Sequence, residues 1–254
     1  MKKMSIITSF SKDYYERIGK YSVGTFIKYW PSGINLHCYV EDLYLDHHPK
    51  IIQIPFTELS PEYHEFQKSD LKQRVKTFSK KAYSVIHAME NIDCDILIWM
   101  DADVITKNLV SIDFLLDLCD DSTLATFMGV WHHRDKHDPT SDIMFSCESS
   151  FFMLNKNHLA FEKFANRYRE YYDKRLTKNL RRFYDGEVLG ATILDLKDYG
   201  RMNDLAASLE KNPKTPMTRS ILNQHFFHFK AGLKEEIDRY FSDNDSDIKI
   251  LKIK

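Results

Sequence analysis

Two aspartates, Asp101 and Asp103, stand one residue apart at the end of an apolar run, Ile96 to Met100, in the stretch DILIWMDADVIT. In extended backbone, residues i and i+2 point to the same side, roughly 6.5 to 7 Å apart. Carboxylates so placed can share one cation, directly or through water. Without it they repel, and each resists ionisation as its surroundings dry out. Oxygen donors of this kind suit a hard divalent ion such as Mg2+ or Mn2+. The plainer explanation of an isolated D-x-D is a solvated strand end.

Three further segments favour the chemical explanation. In FFHFKAGLK, residues 226–234, His228 offers a nitrogen ligand, Gly232 permits close backbone approach, and Lys230 or Lys234 can meet a phosphate. KTFSKKAYSVI, residues 76–86, lies one helix ahead of the D-x-D strand, and in CESSFFMLN, residues 147–155, Glu148 and two serines precede an apolar strand. Asp185 and Glu187 in FYDGEVLG are additional carboxylates; Asp185 falls just before an expected helix, where a capping role is the plainer alternative.

These groups need elements to hold them. Met4 to Phe10, Asn35 to Val40, Ile51 to Pro55 and Ile96 to Met100 read as strands. Lys12 to Trp30 reads as a helix ending at Pro31-Ser32-Gly33, and Pro61 to Met89 as mostly helical. Such alternation implies a largely parallel sheet covered on both faces, with ligands beyond the carboxyl ends of its strands. The apolar run is then a central strand that delivers the aspartates to the functional edge. Further on, Ser122 to Met128 and Ser149 to Leu154 read as strands, and Asn157 as the cap of a helix whose aromatic stripe belongs to the core. The final SDNDSDIKILKIK is polar, then alternating, and reads as either a loose end or an edge strand.

Composition narrows the classes. The chain has 254 residues, 43% hydrophobic and 29% charged, with a net charge of −1 that provides no global field toward nucleic acid or membrane. Its eight glycines form no dinucleotide fingerprint or P-loop. Four scattered cysteines with no C-x-x-C pair fit a reducing compartment. The N-terminal apolar run is too short for a signal peptide, and no stretch approaches the roughly 20 apolar residues of a membrane span, so a soluble cytoplasmic protein is expected.

Together these motifs resemble a nucleotide-sugar glycosyltransferase of the GT-A fold, and more narrowly the small D-x-D glycosyltransferases of phages and bacteria. The likeness rests on an ordered set spanning about residues 4–234: SIITSFSKDYYERIGK, YWPSGINLHCYVED, the F-S-x-K helix, WMDADV and CESSF. The segment HFKAGLK is similar to the His…Gly…Lys signature of the retaining group that contains glycogenin. The sequence departs in having Thr77 where relatives often have arginine, and in lacking the proline and tryptophan after the final lysine.

The resemblance implies an α/β Rossmann-like GT-A domain over residues 1–242. Residues 1–106 would bind the nucleotide sugar, residues 107–242 the acceptor, and 243–254 would form a tail. Asp103 would coordinate the metal, Mn2+ or Mg2+, that bridges the diphosphate; Asp101 would bind the metal or the ribose, and His228 would complete the shell. Thr8, Ser9 and Phe10 would contact base and ribose, while Lys81 and Lys234 would meet the diphosphate or donor sugar. The donor implied is a nucleoside diphosphate sugar, with UDP-sugar the first choice. An inverting reaction would need a carboxylate base, for which Glu148, Asp185 and Glu187 are the candidates, the first two preferred. WHHRDKHDP, residues 131–139, is expected to be a loop over the acceptor, with Trp131 able to stack on a sugar.

Three alternatives accompany this, one of them a non-catalytic sugar-nucleotide-binding protein, which would bind the donor without hydrolysing it. A haloacid-dehalogenase-like phosphatase also carries D-x-D at a strand end, but normally after the first strand of its domain. The acceptor, by default a glycan or surface polysaccharide, would instead be a hydroxymethylated base of viral DNA if residues 162–182, with eight basic against three acidic residues, face phosphates.

Overall fold

The computed structural model describes residues 2–133, 143–176, 180, 184–209, 216–229, 234–244 and 247–254, with backbone alone for 133, 143, 234–236, 243 and 244. In chain order the elements are β1 (Met4–Phe10), α1 (Lys12–Tyr14), a π turn (Tyr15–Gly19), α2 (Lys20–Tyr29), β2 (Asn35–Val40) and β3 (Ile51–Pro55). Then follow α3 (Pro61–Lys68), α4 (Gln73–Asn91), β4 (Ile96–Met100), β5 (Val104–Thr106), α5 (Ile112–Leu118), β6 (Thr123–His133) and β7 (Ile143–Asn155). The last are α6 (Phe161–Asp173), α7 (Asp185–Leu196), β8 (Arg201–Asp204), α8 (Pro216–Arg219), β9 (Phe226–His228) and α9 (Lys234–Asn244).

Seven strands form one mixed sheet in the order β3-β2-β1-β4-β7-β6-β8. The first four run parallel, as the βα alternation requires; β7 lies antiparallel to β4, β6 antiparallel to β7, and β8 parallel to β6. β4 is therefore central, flanked by β1 and β7, and all five of its residues are buried. One apolar cluster, including Trp99, Phe152, Ile86 and Tyr168, joins the sheet to α4 and α6; the opposite cluster, including Ile98, Phe26 and Leu115, joins it to α2 and α5. Helix starts follow local chemistry: Ser11, Ser60 and Ser111 each accept a backbone N–H in the first turn, and Pro61 opens α3.

Several expectations change in detail. The helix expected over 12–30 is interrupted by the π turn, and 61–89 is two helices. Asn157 does not cap α6, which begins at Phe161 behind Ala160; instead its Nδ2 donates to Asp95 at 2.7 Å. The strands expected at 122–128 and 149–154 belong to two longer antiparallel strands, Thr123–His133 and Ile143–Asn155, so Trp131 to His133 belong to β6 rather than to a loop; 134–139 lie outside the described residues. The C-terminal stretch lies against the fold, with Leu251 buried and Ile253 bridging Leu45.

Candidate functional site

Asp101 and Asp103 are not on one extended strand. They occupy the turn between β4 and β5, in which Val104 N–H donates to the Asp101 carbonyl at 3.0 Å. The turn is clamped on two sides: Asp101 N–H donates to Ser150 of β7 at 2.8 Å, and Phe229 N–H donates to the Asp103 carbonyl at 3.0 Å. β5 pairs antiparallel with β9, which puts His228 opposite Val104. Segments more than a hundred residues apart thus meet, and one ligand atom each from Asp101, Asp103 and His228 lies within 4.8 Å of the others.

The electrostatics divide the two aspartates. Asp101 Oδ1 accepts from Lys81 Nζ at 2.8 Å and from Trp99 Nε1 at 2.6 Å. Burial nonetheless holds its pKa above the usual carboxylate value, with Asp103 and Asp185 adding to the rise against the lowering effect of Lys81. Asp103 is different: burial pushes it up, but His228 and the Tyr14 hydroxyl outweigh that and bring it below the usual value. Tyr14 donates to Oδ2 at 2.8 Å. The other oxygen, Oδ1, makes an ion-pair contact of 3.2 Å with His228 Nε2; among the described residues, the buried Oδ1 and His228 Nδ1 find no hydrogen-bond partner of good geometry. Burial depresses His228, yet the carboxylates of Asp103, Asp101 and Glu148 raise it overall.

Lys81, from α4, is the second hub. Its ammonium contacts Asp101 at 2.8 Å, Asp185 at 2.7 Å and the Ser149 carbonyl at 2.5 Å, over the face of Trp99. Burial lowers its pKa, but the two carboxylates raise it further. Asp185 is the first residue of α7, not its cap, and Ser149 donates to it at 2.7 Å. Burial raises this carboxyl, and Lys81 with Ser149 brings it below its ordinary value.

These side chains line a cavity of about 520 Å3 at the carboxyl ends of β1 and β4. Among the expected site residues, Ser9, Phe10, Lys81, Asp101, Asp103, Glu148 and Asp185 line it. His228 reaches Glu148 at 3.9 Å from behind. Thr8 is fully buried inside β1 and does not line the cavity. Lys234 begins α9, but its side chain, like Lys230 and Gly232, lies outside the described residues. Tyr14 and Trp99 also line the cavity and donate to Asp103 and Asp101, contacts that the sequence concealed because aromatic residues in a helix or an apolar run look like core. The one available signal was that Trp99 stands two residues before Asp101, on the same side of a strand.

Carboxylates dominate the lining: Glu41, Asp101, Asp103, Glu148 and Asp185 face only Lys80 and Lys81 among the described residues. A negatively charged ligand needs additional positive charge here. The buried oxygen of Asp103, without a hydrogen-bond partner among the described residues and beside an imidazole nitrogen, is the kind of oxygen-and-nitrogen donor set that fits a divalent cation. Elsewhere, the basic segment is partly neutralised within the fold: Arg167 pairs with Asp195, Arg169 with Glu90 and Lys174 with Glu170, while Lys178, Arg181 and Arg182 lie outside the described residues. No helix among the described residues is long and apolar enough to cross a membrane.

No protein-family model matches the chain, and no curated protein matches it. Solved structures do. The galactosyltransferase LgtC, solved in complex with donor and acceptor sugar analogues, matches with a TM-score of 0.57 at 14% identity, over 95% of this chain and 96% of that one. The bifunctional glycosyltransferase WbbM gives 0.52 at 12% identity, over 80% of this chain but 39% of its own. GlyE of Streptococcus pneumoniae TIGR4 gives 0.47 at 9% identity, over 80% of this chain and 45% of its own, so this chain spans less than half the length of either of these two. The fold is thus the GT-A fold of glycosyltransferases.

Proposed function

We propose that this protein transfers a sugar from a nucleoside diphosphate sugar, with UDP-sugar the first choice, to an acceptor hydroxyl, and that a divalent cation assists. The observation that carries the proposal is the convergence of Asp101, Asp103 and His228 at the lip of a cavity whose lining is otherwise too acidic for a diphosphate. The phosphatase alternative fits less well: the D-x-D follows the fourth strand of the sheet-forming sequence, and the fold is that of glycosyltransferases.

Asp101, Asp103 and His228 would hold Mn2+ or Mg2+, which when bound offsets the charge that develops on the departing diphosphate. The protein's own groups do the rest. Ser9 and Phe10 form the wall at the end of β1 where base and ribose lie. Lys81 holds Asp101 and Asp185 in fixed positions and presents its positive charge to the donor. Asp185, kept ionised by Lys81, suits orientation of sugar hydroxyls better than proton abstraction. Glu148, between the cavity and His228, is then the group to accept the acceptor's proton in an inverting reaction. Lys234, at the start of α9, remains a further phosphate contact to test, and a glycan is the working acceptor.

The test is release of nucleoside diphosphate from a panel of nucleotide sugars, with and without Mn2+ and acceptor glycans. The expected result is cation-dependent release from at least one donor that disappears with EDTA or with Asp103→Ala. Release of inorganic phosphate from simple phosphomonoesters, with no nucleotide-sugar turnover, would favour the phosphatase instead.

A further inference from the structure

We infer that Tyr14 is a positioning residue for the cation site: its hydroxyl fixes Asp103 so that one carboxylate oxygen is engaged by the phenol and the other is presented toward His228. The inference rests on the cation-assisted reading of the cavity given above. Its basis is the asymmetry of Asp103. Oδ2 accepts from Tyr14 at 2.8 Å, whereas Oδ1 is buried, has no hydrogen-bond partner among the described residues and makes an ion-pair contact of 3.2 Å with His228 Nε2. The terminal torsion of an aspartate is broad and nearly two-fold, so an unrestrained carboxylate would sample many settings. A single hydrogen bond to one oxygen selects among them before any ligand arrives.

The phenol is itself held in place. Ser11 caps α1 by accepting from Tyr14 N–H at 3.3 Å; the Arg17 guanidinium only packs on the ring, 5.2 Å from its centre, and pairs with Asp13. Immediately after Tyr14 the helix passes into the π turn Tyr15–Gly19, a local widening that recurs at functional sites. The next residue, Tyr15, is anchored from the far end of the chain, its hydroxyl donating to the Leu251 carbonyl at 2.7 Å. Tyr14 also lines the cavity, so the hydroxyl reaches Asp103 from the ligand side. Groups that orient metal ligands in this way commonly change metal affinity by about 10- to 100-fold when removed.

The experiment is a Mn2+ titration of the full chain, read by electron paramagnetic resonance of the free ion, for wild type, Tyr14→Phe, Arg17→Ala and Asp103→Ala. Thermal unfolding without added metal is measured alongside. The expected outcome is wild-type affinity in Arg17→Ala, loss of binding in Asp103→Ala, and affinity about 10- to 100-fold weaker in Tyr14→Phe. A purely structural tyrosine would lower the unfolding midpoint and leave Mn2+ affinity unchanged. Binding by Tyr14→Phe as tight as or tighter than wild type, with Asp103→Ala inactive, overturns the role of Tyr14 alone. Equal weakening in Arg17→Ala overturns it too, by assigning the loss to packing. Absence of Mn2+ binding in the wild type overturns the cation reading and this inference together.

Discussion

Lys81 sets the electrostatics of the site, because two carboxylates from distant elements, the buried Asp185 and the part-buried Asp101, converge on one buried ammonium. Removing one partner of a buried ion pair leaves the other charged and unpaired, which typically costs about 3 to 5 kcal/mol. Lys81→Met is therefore expected to lower the urea-denaturation free energy by about that amount; a loss under about 1 kcal/mol would show that Asp101 and Asp185 are satisfied without it. Glu148 and Asp185 are separable by kinetics. For an inverting base, Glu148→Gln should lower turnover by about 100-fold or more while leaving Mn2+ affinity near wild type. An equal loss in Asp185→Asn with Glu148→Gln active would exchange the two roles. At this scale the charged residues were legible in the sequence, because Asp101, Asp103, Lys81 and His228 stand in recognisable motifs. The hydroxyl of Tyr14 and the indole N–H of Trp99 were not, since neither hydrogen bond leaves a trace in spacing alone.

Elements bring these residues together through close backbone approach. α7 crosses β7 at Gly186, where an added Cβ would meet the Cys147 carbonyl oxygen at 2.2 Å. Backbone cannot yield cheaply there, so Gly186→Ala is expected to push the start of α7 away from β7, separate Asp185 from Lys81 and reduce both stability and nucleotide binding. Gly33→Ala, with open space around it, is the control that should leave binding intact. A normal nucleotide affinity in Gly186→Ala would show that the helix start has slack. β2 carries a different prediction. Burial, helped by Lys3, lowers the His37 pKa from 6.5 to about 4. The unfolded chain then binds this proton first as pH falls, so stability drops from about pH 6.5 down to about 4 and levels off below, by roughly 3 kcal/mol in total. His37→Gln should flatten that part of the stability profile, and an unchanged slope would contradict the assignment. The strands β1 to β4 were legible because a doubly covered parallel sheet demands continuous apolar runs. The antiparallel insertion of β7 beside β4 was not, because an apolar run is the same in a parallel or an antiparallel neighbour; nor was the pairing of β5 with β9, because three-residue strands carry too little periodicity to announce a partner more than a hundred residues away.

Across the whole molecule, the end of the chain secures its beginning. Leu251 is buried, Asp247 pairs with Lys28 at 2.6 Å, and residues 252 and 254 exchange backbone hydrogen bonds with the segment after β2. Deleting residues 247–254 is expected to cost at least about 2 kcal/mol, from the lost burial of Leu251 alone, as read by thermal or urea unfolding. Unchanged stability would mean that the segment rests on the surface without contributing. The alternation that appeared in the sequence as a loose end or an edge strand is thus a single bridge, a contact too small for pattern to reveal. The net charge of −1 concealed a local imbalance that the fold creates, gathering Glu41, Asp101, Asp103, Glu148 and Asp185 around one cavity. That imbalance makes the central claim directly testable by calorimetric titration of UDP into the protein with and without Mn2+, repeated with Asp103→Ala and with other nucleoside diphosphates. The account predicts binding that requires the cation and vanishes in Asp103→Ala. Nucleotide binding of equal strength in EDTA, or no binding of any nucleoside diphosphate with Mn2+ present, would contradict it.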